Sequence, residues 1–219
     1  WPNPYSIDWS TLASDDEIND VAQVIDGEWT LTPGGLRTVT PGYDRLVGVG
    51  DVRWDDYEIT VPITIHSGSV GGIGLLLRWP GHSISGGATC SQPYCGYLPL
   101  GAIGWYTGSR IEIWENNGVI NETQSMSLAT ETPYTFKMRV ENNATGGVYS
   151  LKVWDPAVEA EPGTWNLVAQ EALSDPQFGS PVLIAHNTDA TFGNLEIVPV
   201  VGVNAPPTAG DDSGFVASA

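Results

Sequence analysis

The chain has 219 residues, of which 26 are Asp or Glu and only 8 are Lys or Arg, so its formal net charge at pH 7 is −18. Such an acidic chain is not expected to have nucleic acid or an anionic membrane surface as its main partner. No apolar run in the sequence approaches the roughly 18 residues of a membrane-spanning helix, so no membrane insertion is predicted. The 26 Gly and 16 Pro residues favour many short strands joined by turns over a helical bundle.

The beginning of the chain combines a short helical signal with acidic residues. It starts at Trp1 without Met or an apolar leader, which we interpret as a mature or excised fragment whose targeting sequence has been removed. Only residues 14–24 could form a helix, and a brief one. The acidic side chains around this segment that could hold a calcium ion are Asp15, Asp16 and Asp26. Calcium binds six to eight carboxylate and carbonyl oxygens, although a solvated acidic loop is the simpler alternative because no EF-hand or nonapeptide pattern is present.

Alternation of apolar and polar residues predicts the strands that follow. In residues 57–65 every second side chain is apolar, which places these side chains on one buried face. Pro62 points away from that face and lacks an N–H, so this strand is expected to be bulged or near an edge. Further strands are predicted at 73–79, 102–106, 110–114, 135–140, 149–154, 182–186 and 191–198. Ten or more short strands separated by Gly, Pro and Asn turns predict an all-β, two-sheet antiparallel sandwich over residues 1–200.

The two cysteines point to an oxidising compartment. Cys90 and Cys95 enclose four residues, and no His or Cys cluster follows them. A disulfide that shapes a loop is therefore favoured over a metal or redox pair. Because disulfides persist outside the reducing cytosol, we expect a secreted or cell-surface protein.

The order of these landmarks over residues 1–199 resembles the concanavalin A-like superfamily in its laminin G-like branch. Trp29 and the following Gly34-Gly35-Leu36 resemble the opening of such domains. The stretches that resemble later strands are 54–59, 72–79, 110–114 and 191–197. The resemblance implies a jelly-roll sandwich, often with a structural calcium ion. It implies no single function, because this fold carries lectins, carbohydrate-binding modules, glycosidases, lyases and adhesion domains.

The last residues, 201–219, lose the alternation and predict a linker. Residues 201–212, with Pro206-Pro207 and Asp211-Asp212, resemble the segment that opens cadherin-like and Ig-like repeats of large secreted bacterial proteins. In those repeats a paired Asp helps to bind calcium at a domain junction. The resemblance implies that further domains of the same polypeptide follow, as in an adhesin, whereas a disordered tail is the alternative.

Catalytic patterns are weak in this sequence. The paired carboxylates of glycosidases must share one face of a cleft, but Glu112 and Glu115 are three residues apart and would lie on opposite faces of a strand. His66, His82 and His186 are the only histidines, and none lies in a pattern typical of lyases on this fold. Nucleophile elbows, phosphate loops and zinc clusters are also missing from the sequence. A glycoside hydrolase or polysaccharide lyase therefore remains an alternative rather than the first choice.

A binding surface is favoured instead. Sugar recognition uses aromatic rings together with a few fixed polar groups. The alternation leaves such residues on the outer side of the predicted strands, with Trp105 facing the core as an open alternative. The candidate ligand-binding residues are Arg78, Trp105, Tyr106, Glu112, Trp114 and His186. We therefore expect a non-catalytic carbohydrate-binding or adhesion module whose partner is a polysaccharide or other glycan, with a calcium-stabilised spacer of an adhesin as a further alternative.

Overall fold

The computed structural model describes residues 4–67, 71–81, 100–115 and 120–200. The predicted Cys90–Cys95 disulfide and the predicted linker at 201–219 lie outside these residues. Within them, no helix has the length and apolar character needed to cross a membrane.

Most of the described residues lie in strands, and the segment 14–24, which was predicted to be helical, contains two short helical turns. They are a 3-10 turn at Asp15–Glu17 and the single-turn helix α1 at Ile18–Val21, after an earlier 3-10 turn at Trp9–Thr11. The strands in chain order are β1 (Tyr5–Ile7), β2 (Gln23–Asp26), β3 (Trp29–Thr32), β4 (Gly35–Thr38), β5 (Arg45–Gly48), β6 (Tyr57–Ile65), β7 (Gly72–Trp79), β8 (Ala102–Thr107), β9 (Arg110–Glu115), β10 (Ile120–Ser125), β11 (Pro133–Asn143), β12 (Gly146–Trp154), β13 (Leu167–Gln170), β14 (Ser180–His186), β15 (Ala190–Phe192) and β16 (Leu195–Pro199).

The strands form two antiparallel sheets. One sheet has nine strands in the order β13-β12-β11-β6-β15-β4-β3, with β16 also beside β6 and β1 beside β16. The other has seven strands in the order β10-β9-β8-β7-β14-β5-β2. Neighbours distant in sequence, such as β7 and β14, show that the chain crosses repeatedly between the sheets. The predicted two-sheet jelly-roll sandwich is confirmed.

The core between the sheets is built by alternation within each strand. The inward side chains of β6 are almost completely buried, and they belong to the same apolar cluster as inward side chains of the seven-stranded sheet. This cluster includes Tyr57, Ile59, Val61, Ile63, Ile65, Ile73, Leu75, Leu77, Ile111, Ile113, Leu183 and Ala185. Removal of this apolar surface from water is the main force that holds the two sheets together.

Pro62 is accommodated in the middle of a sheet, so the expectation of an edge strand is wrong. β6 pairs with β11 along one side, and with β16 and then β15 along the other. The Pro62 carbonyl accepts a hydrogen bond from Gly193 N at 2.8 Å, in the break between β15 and β16. Because the amide and carbonyl of a strand residue point the same way, the missing N–H of Pro62 also faces this break and no continuous ladder is interrupted there.

Candidate functional site

The outer face of the seven-stranded sheet collects most of the predicted site residues. In β9 the side chains of Ile111 and Ile113 enter the core, which leaves Arg110, Glu112 and Trp114 on the outer side. In the neighbouring strand β8, Trp105 is paired with Glu112 and therefore lies on the same face. Strand register thus brings three of the predicted residues together: Trp105, Glu112 and Trp114.

Glycines create the space in which the Trp105 ring lies. A Cβ atom placed on Gly72 would come within 2.6 Å of two carbons of the Trp105 indole, so the ring lies across the neighbouring strand β7. Its Nε1 is buried without a hydrogen-bond partner among the described residues. The absence of side chains at this point of β7 lets the indole extend from β8 towards β14.

Four aromatic rings form a continuous row across the outer face. Ring centroids are 4.9 Å apart between Tyr43 and His186, 6.3 Å between His186 and Trp105, and 5.0 Å between Trp105 and Trp114. We call these four residues the ring row. Tyr43 is 69% exposed, whereas Trp105 is buried and the other two are half-buried. The row therefore runs from an exposed end in the turn before β5 to strand β9.

Glu112 fixes the β9 end of the ring row. Its side chain is completely buried; it accepts a hydrogen bond of 2.5 Å from Trp114 Nε1 and another from Arg110 Nε. The Arg110 side chain is still 47% exposed. Since both Glu112 oxygens are occupied, this carboxylate orients its two neighbours, and Arg110 and Trp114 are the groups that can meet a ligand.

Asp44 and Asn187 fix the imidazole ring of His186. Asn187 Nδ2 donates to His186 Nε2 at 2.9 Å, so the proton of the neutral imidazole lies on Nδ1 and is donated to Asp44 Oδ1 at 2.8 Å. Burial raises the pKa of Asp44, and the bond from His186 acts in the opposite direction. The backbone N–H of Asn187 donates to Gly42 O at 2.8 Å, which ties the turn that carries Tyr43 to the end of β14. Alternation alone had not identified Tyr43, because it lies in a turn; Pro41-Gly42 was the available signal.

Arg78 is not on the outer face, and its predicted position is wrong. The residue has a φ of 56°, a left-handed conformation that reverses the alternation of β7. Its buried side chain therefore turns towards the other sheet, where Nε donates to Asp55 O and Nη2 to Asp56 Oδ1, both at 3.1 Å. The reversal also places Trp79 in the apolar cluster of the outer face.

Tyr106 is also misplaced by the sequence analysis. It belongs to the core cluster between the sheets, and its hydroxyl accepts a hydrogen bond from Leu128 N at 3.4 Å. Its cross-strand partner Ile111 is another core residue. Tyr106 therefore supports the fold and is not available to a ligand on the outer face.

The three aspartates predicted to bind calcium do not form one site. Asp15 Oδ1 accepts a 2.7 Å hydrogen bond from Leu31 N, whereas Asp26 Oδ1 pairs with Arg45 at 2.9 Å. Asp16 is exposed. In the part of the chain that the structure describes, no group of three His, Cys, Asp or Glu side chains is placed to hold a metal ion. The cluster predicted from Asp15, Asp16 and Asp26 is therefore wrong as a common ligand set.

Glu115 lies on the opposite side of β9 from Glu112. Its strand partner is Ala102, a core residue, so the two carboxylates do not share a cleft.

Glu115 instead lies close to Glu171, a residue that sequence analysis did not identify. Burial, together with the charges of Glu115 and Asp175, raises the pKa of Glu171 to about 7, although Asn121 Nδ2 donates to it at 3.1 Å. This acidic group lies between the sheets, away from the ring row.

The comparisons with known proteins agree with the fold. No family model matches the chain, and no curated protein matches it. Among solved structures, it is similar to the carbohydrate-binding module CBM66 from Bacillus subtilis, with a TM-score of 0.58, 14% identity, and coverage of 81% of this chain and 94% of the other. It is also similar to the basic lectin of winged bean solved with Tn-antigen, with a TM-score of 0.59, 10% identity, and coverage of 89% and 98%.

A third similar structure carries calcium. This is the exoplasmic/lumenal domain of VIP36 in its Ca2+/Man3GlcNAc-bound form, with a TM-score of 0.52, 11% identity, and coverage of 85% of this chain and 86% of the other. At such low identity these likenesses concern the fold alone. The chain is a two-sheet jelly-roll sandwich, the architecture that it shares with these structures.

Proposed function

We propose that the protein is a non-catalytic carbohydrate-binding module and that the glycan lies on the ring row. The observation that carries this proposal is the unbroken series of Tyr43, His186, Trp105 and Trp114, whose neighbouring centroids are 4.9, 6.3 and 5.0 Å apart. Aromatic faces cover the apolar faces of sugar rings, and a few fixed polar groups select their hydroxyls. Arg110 at one end and Asn187 at the other supply such groups.

The charges around the ring row favour a neutral polysaccharide or other neutral glycan. Arg110 is paired with Glu112, and His186 donates its Nδ1 proton to Asp44, so neither side chain offers an unpaired positive charge to an anionic ligand. The whole chain has a formal net charge of −18, which repels strongly anionic polymers. The ligands in the names of the winged bean and VIP36 structures are also carbohydrates, which supports the ligand class.

The first experiment measures binding of the purified protein to a panel of neutral polysaccharides by affinity electrophoresis and calorimetry. Tyr43→Ala and Trp114→Ala should each weaken binding by about 10- to 100-fold, the usual effect of removing an aromatic contact of ~1–3 kcal/mol. The matched control is Trp165→Ala, because the Trp165 ring lies against Arg139 and Lys152 of the nine-stranded sheet. Equal losses in the control and the ring-row variants would contradict the proposed location.

The same panel separates binding from catalysis. A binding module should leave each polysaccharide unchanged, with no new reducing ends and no unsaturated products after prolonged incubation. New ends would favour the glycoside hydrolase alternative, and unsaturated products would favour the lyase alternative. Failure of every polysaccharide to bind would favour the structural spacer of an adhesin.

The setting of the module belongs to the same proposal. We infer that it is secreted or displayed at a cell surface beside further domains of the same polypeptide. The support is the pair Cys90 and Cys95, together with the resemblance of residues 201–212 to the start of a following repeat. The full-length reading frame tests this directly, because it should contain an export signal and neighbouring domains.

A structural calcium ion is a separate part of the proposal, and the calcium-bound VIP36 neighbour supports it. Since a ligand that binds only the folded state stabilises it, calcium should raise the melting temperature by several degrees relative to EDTA. Identical melting curves in the two buffers would contradict a structural calcium ion but not glycan binding at the ring row.

A further inference from the structure

A second concave site lies on the outer face, apart from the ring row. A cavity of about 100 Å³ is found where β2 and β5 meet the ends of β7 and β14. We call it the end pocket. Its lining includes Gln23, Gly48, Gly50, Val52, Trp79 and Ser180. One water needs about 10–15 Å³ and a drug-sized ligand ~300–1,000 Å³, so the pocket has room for one small ring.

Irregular backbone builds the end pocket. The left-handed conformation of Arg78 turns the Trp79 indole onto the outer face. The pairing of β14 with β7 shifts between Ser180 and Val182, which opens the sheet beside that indole. Gly48 contributes no side chain at the base, and a Cβ placed there would come within 3.0 Å of Ile25 Cδ1. The space therefore follows from features of three strands rather than from one loosely packed side chain.

The lining of the end pocket has the chemistry of a sugar subsite. Trp79 supplies an aromatic wall, and the exposed side chain of Gln23 supplies both an amide donor and a carbonyl acceptor. Ser180 Oγ donates to Trp79 O at 3.4 Å, which leaves its lone pairs able to accept from a ligand hydroxyl. None of the residues that line this pocket is charged. These groups suit a neutral, hydroxylated ring and offer no partner for a carboxylate or sulfate.

We propose that the end pocket binds a single neutral sugar ring as a second subsite of the protein. The ligand class rests on the proposed function, but the end pocket shares no residue with the ring row. One sugar unit can therefore be held at the end pocket independently of the chain that lies on the ring row.

The experiment follows the Trp79 indole N–H resonance during titration with methyl glycosides of glucose, galactose, mannose and xylose, and with methyl glucuronide as the anionic comparison. At least one neutral glycoside should shift this resonance saturably, and the glucuronide should not. Gln23→Ala should weaken that binding about tenfold, as expected when one polar contact is lost. Gln124→Ala is the matched control, because Gln124 is an exposed glutamine on β10 at the opposite edge of the same sheet.

The outcomes separate the end pocket from the ring row. If polysaccharides bind but no neutral glycoside shifts the Trp79 resonance, the end pocket is wrong and the proposed function stands. A shift caused only by the glucuronide, or an equal effect of Gln23→Ala and Gln124→Ala, also overturns the inference. If a neutral glycoside shifts Trp79 while no polysaccharide binds, the end pocket stands and the ring row fails.

Discussion

A single buried carboxylate organises the β9 end of the candidate site. Glu112 has no solvent exposure and accepts hydrogen bonds from Arg110 and Trp114. Alternation in β9 placed Glu112 and Trp114 on the outer face, but it could not indicate that Glu112 would be covered. That property depends on the neighbouring side chains in three dimensions. Glu112 is therefore a positioning residue, and its removal should affect stability as well as binding.

Replacement of Glu112 by Gln should lower the free energy of unfolding by about 1–3 kcal/mol, because the neutral amide cannot accept both hydrogen bonds and leaves Arg110 without its charge partner. Urea denaturation measures this change. Glu122→Gln is the control, since Glu122 is exposed on the adjacent strand β10 opposite Ile113. Equal stability of the two variants would show that the buried carboxylate contributes nothing to the fold.

A second carboxyl group makes stability depend on pH. The folded-state pKa of Glu171 is about 7, raised from its usual 4.5 by burial and by the charges of Glu115 and Asp175. The groups around it are Asn121, which donates to it, and Tyr149, whose own pKa it helps to raise. Because the folded state favours the protonated form of Glu171, the stability that this group contributes is fully present below pH 4.5 and is lost as pH rises through about 7.

Between pH 5 and pH 8, ionisation of Glu171 should lower the free energy of unfolding of the wild type by on the order of 2 kcal/mol. The Glu171→Gln variant should not show this decrease. The measurement is the difference in unfolding free energy between wild type and variant at each pH, with Glu159→Gln as an exposed control. A difference that stays constant over this range would contradict the raised pKa.

At the scale of the strand, alternation predicts a face only while the backbone keeps its extended conformation. β6 and β9 keep it, and their inward residues were identified correctly. In β7, the left-handed conformation of Arg78 turns its side chain inward and the Trp79 side chain outward. The sequence Leu77-Arg78-Trp79 contains no signal that predicts this conformation. In β8, Ile103 and Trp105 are apolar on one face and Ala102 and Tyr106 on the other, so the pattern could not distinguish the core side.

The position of Trp105 depends on Gly72 in the neighbouring strand. A Cβ at Gly72 would come within 2.6 Å of the indole, so Gly72→Ala should displace the ring and break the ring row. We expect a stability loss of about 1–3 kcal/mol together with at least tenfold weaker glycan binding. Gly163→Ala is the control, because a Cβ there meets no atom within 4 Å. Unchanged tryptophan fluorescence and binding in Gly72→Ala would contradict this placement.

At the scale of the whole molecule, the two sheets carry different chemistry on their outer faces. Lys137, Arg139 and Lys152 lie on the nine-stranded sheet, where they pair with Glu58 and Glu161. Alternation within a strand can place such residues on a sheet face, but it cannot assign them to one of the two sheets, because sheet order depends on long-range pairing. The number of strands and their turns predicted a sandwich, whereas the ring row required the observed order of β9, β8, β7 and β14.

The most direct measurement compares tryptophans on the two faces in a single spectrum. A bound neutral polysaccharide fragment should shift the indole N–H resonances of Trp105 and Trp114, which belong to the ring row. The resonances of Trp154 and Trp165, which lie beside Lys152 on the other sheet, should stay in place. Shifts confined to Trp154 and Trp165, with Trp105 and Trp114 unchanged, would contradict the claim that glycan binds to the outer face of the seven-stranded sheet.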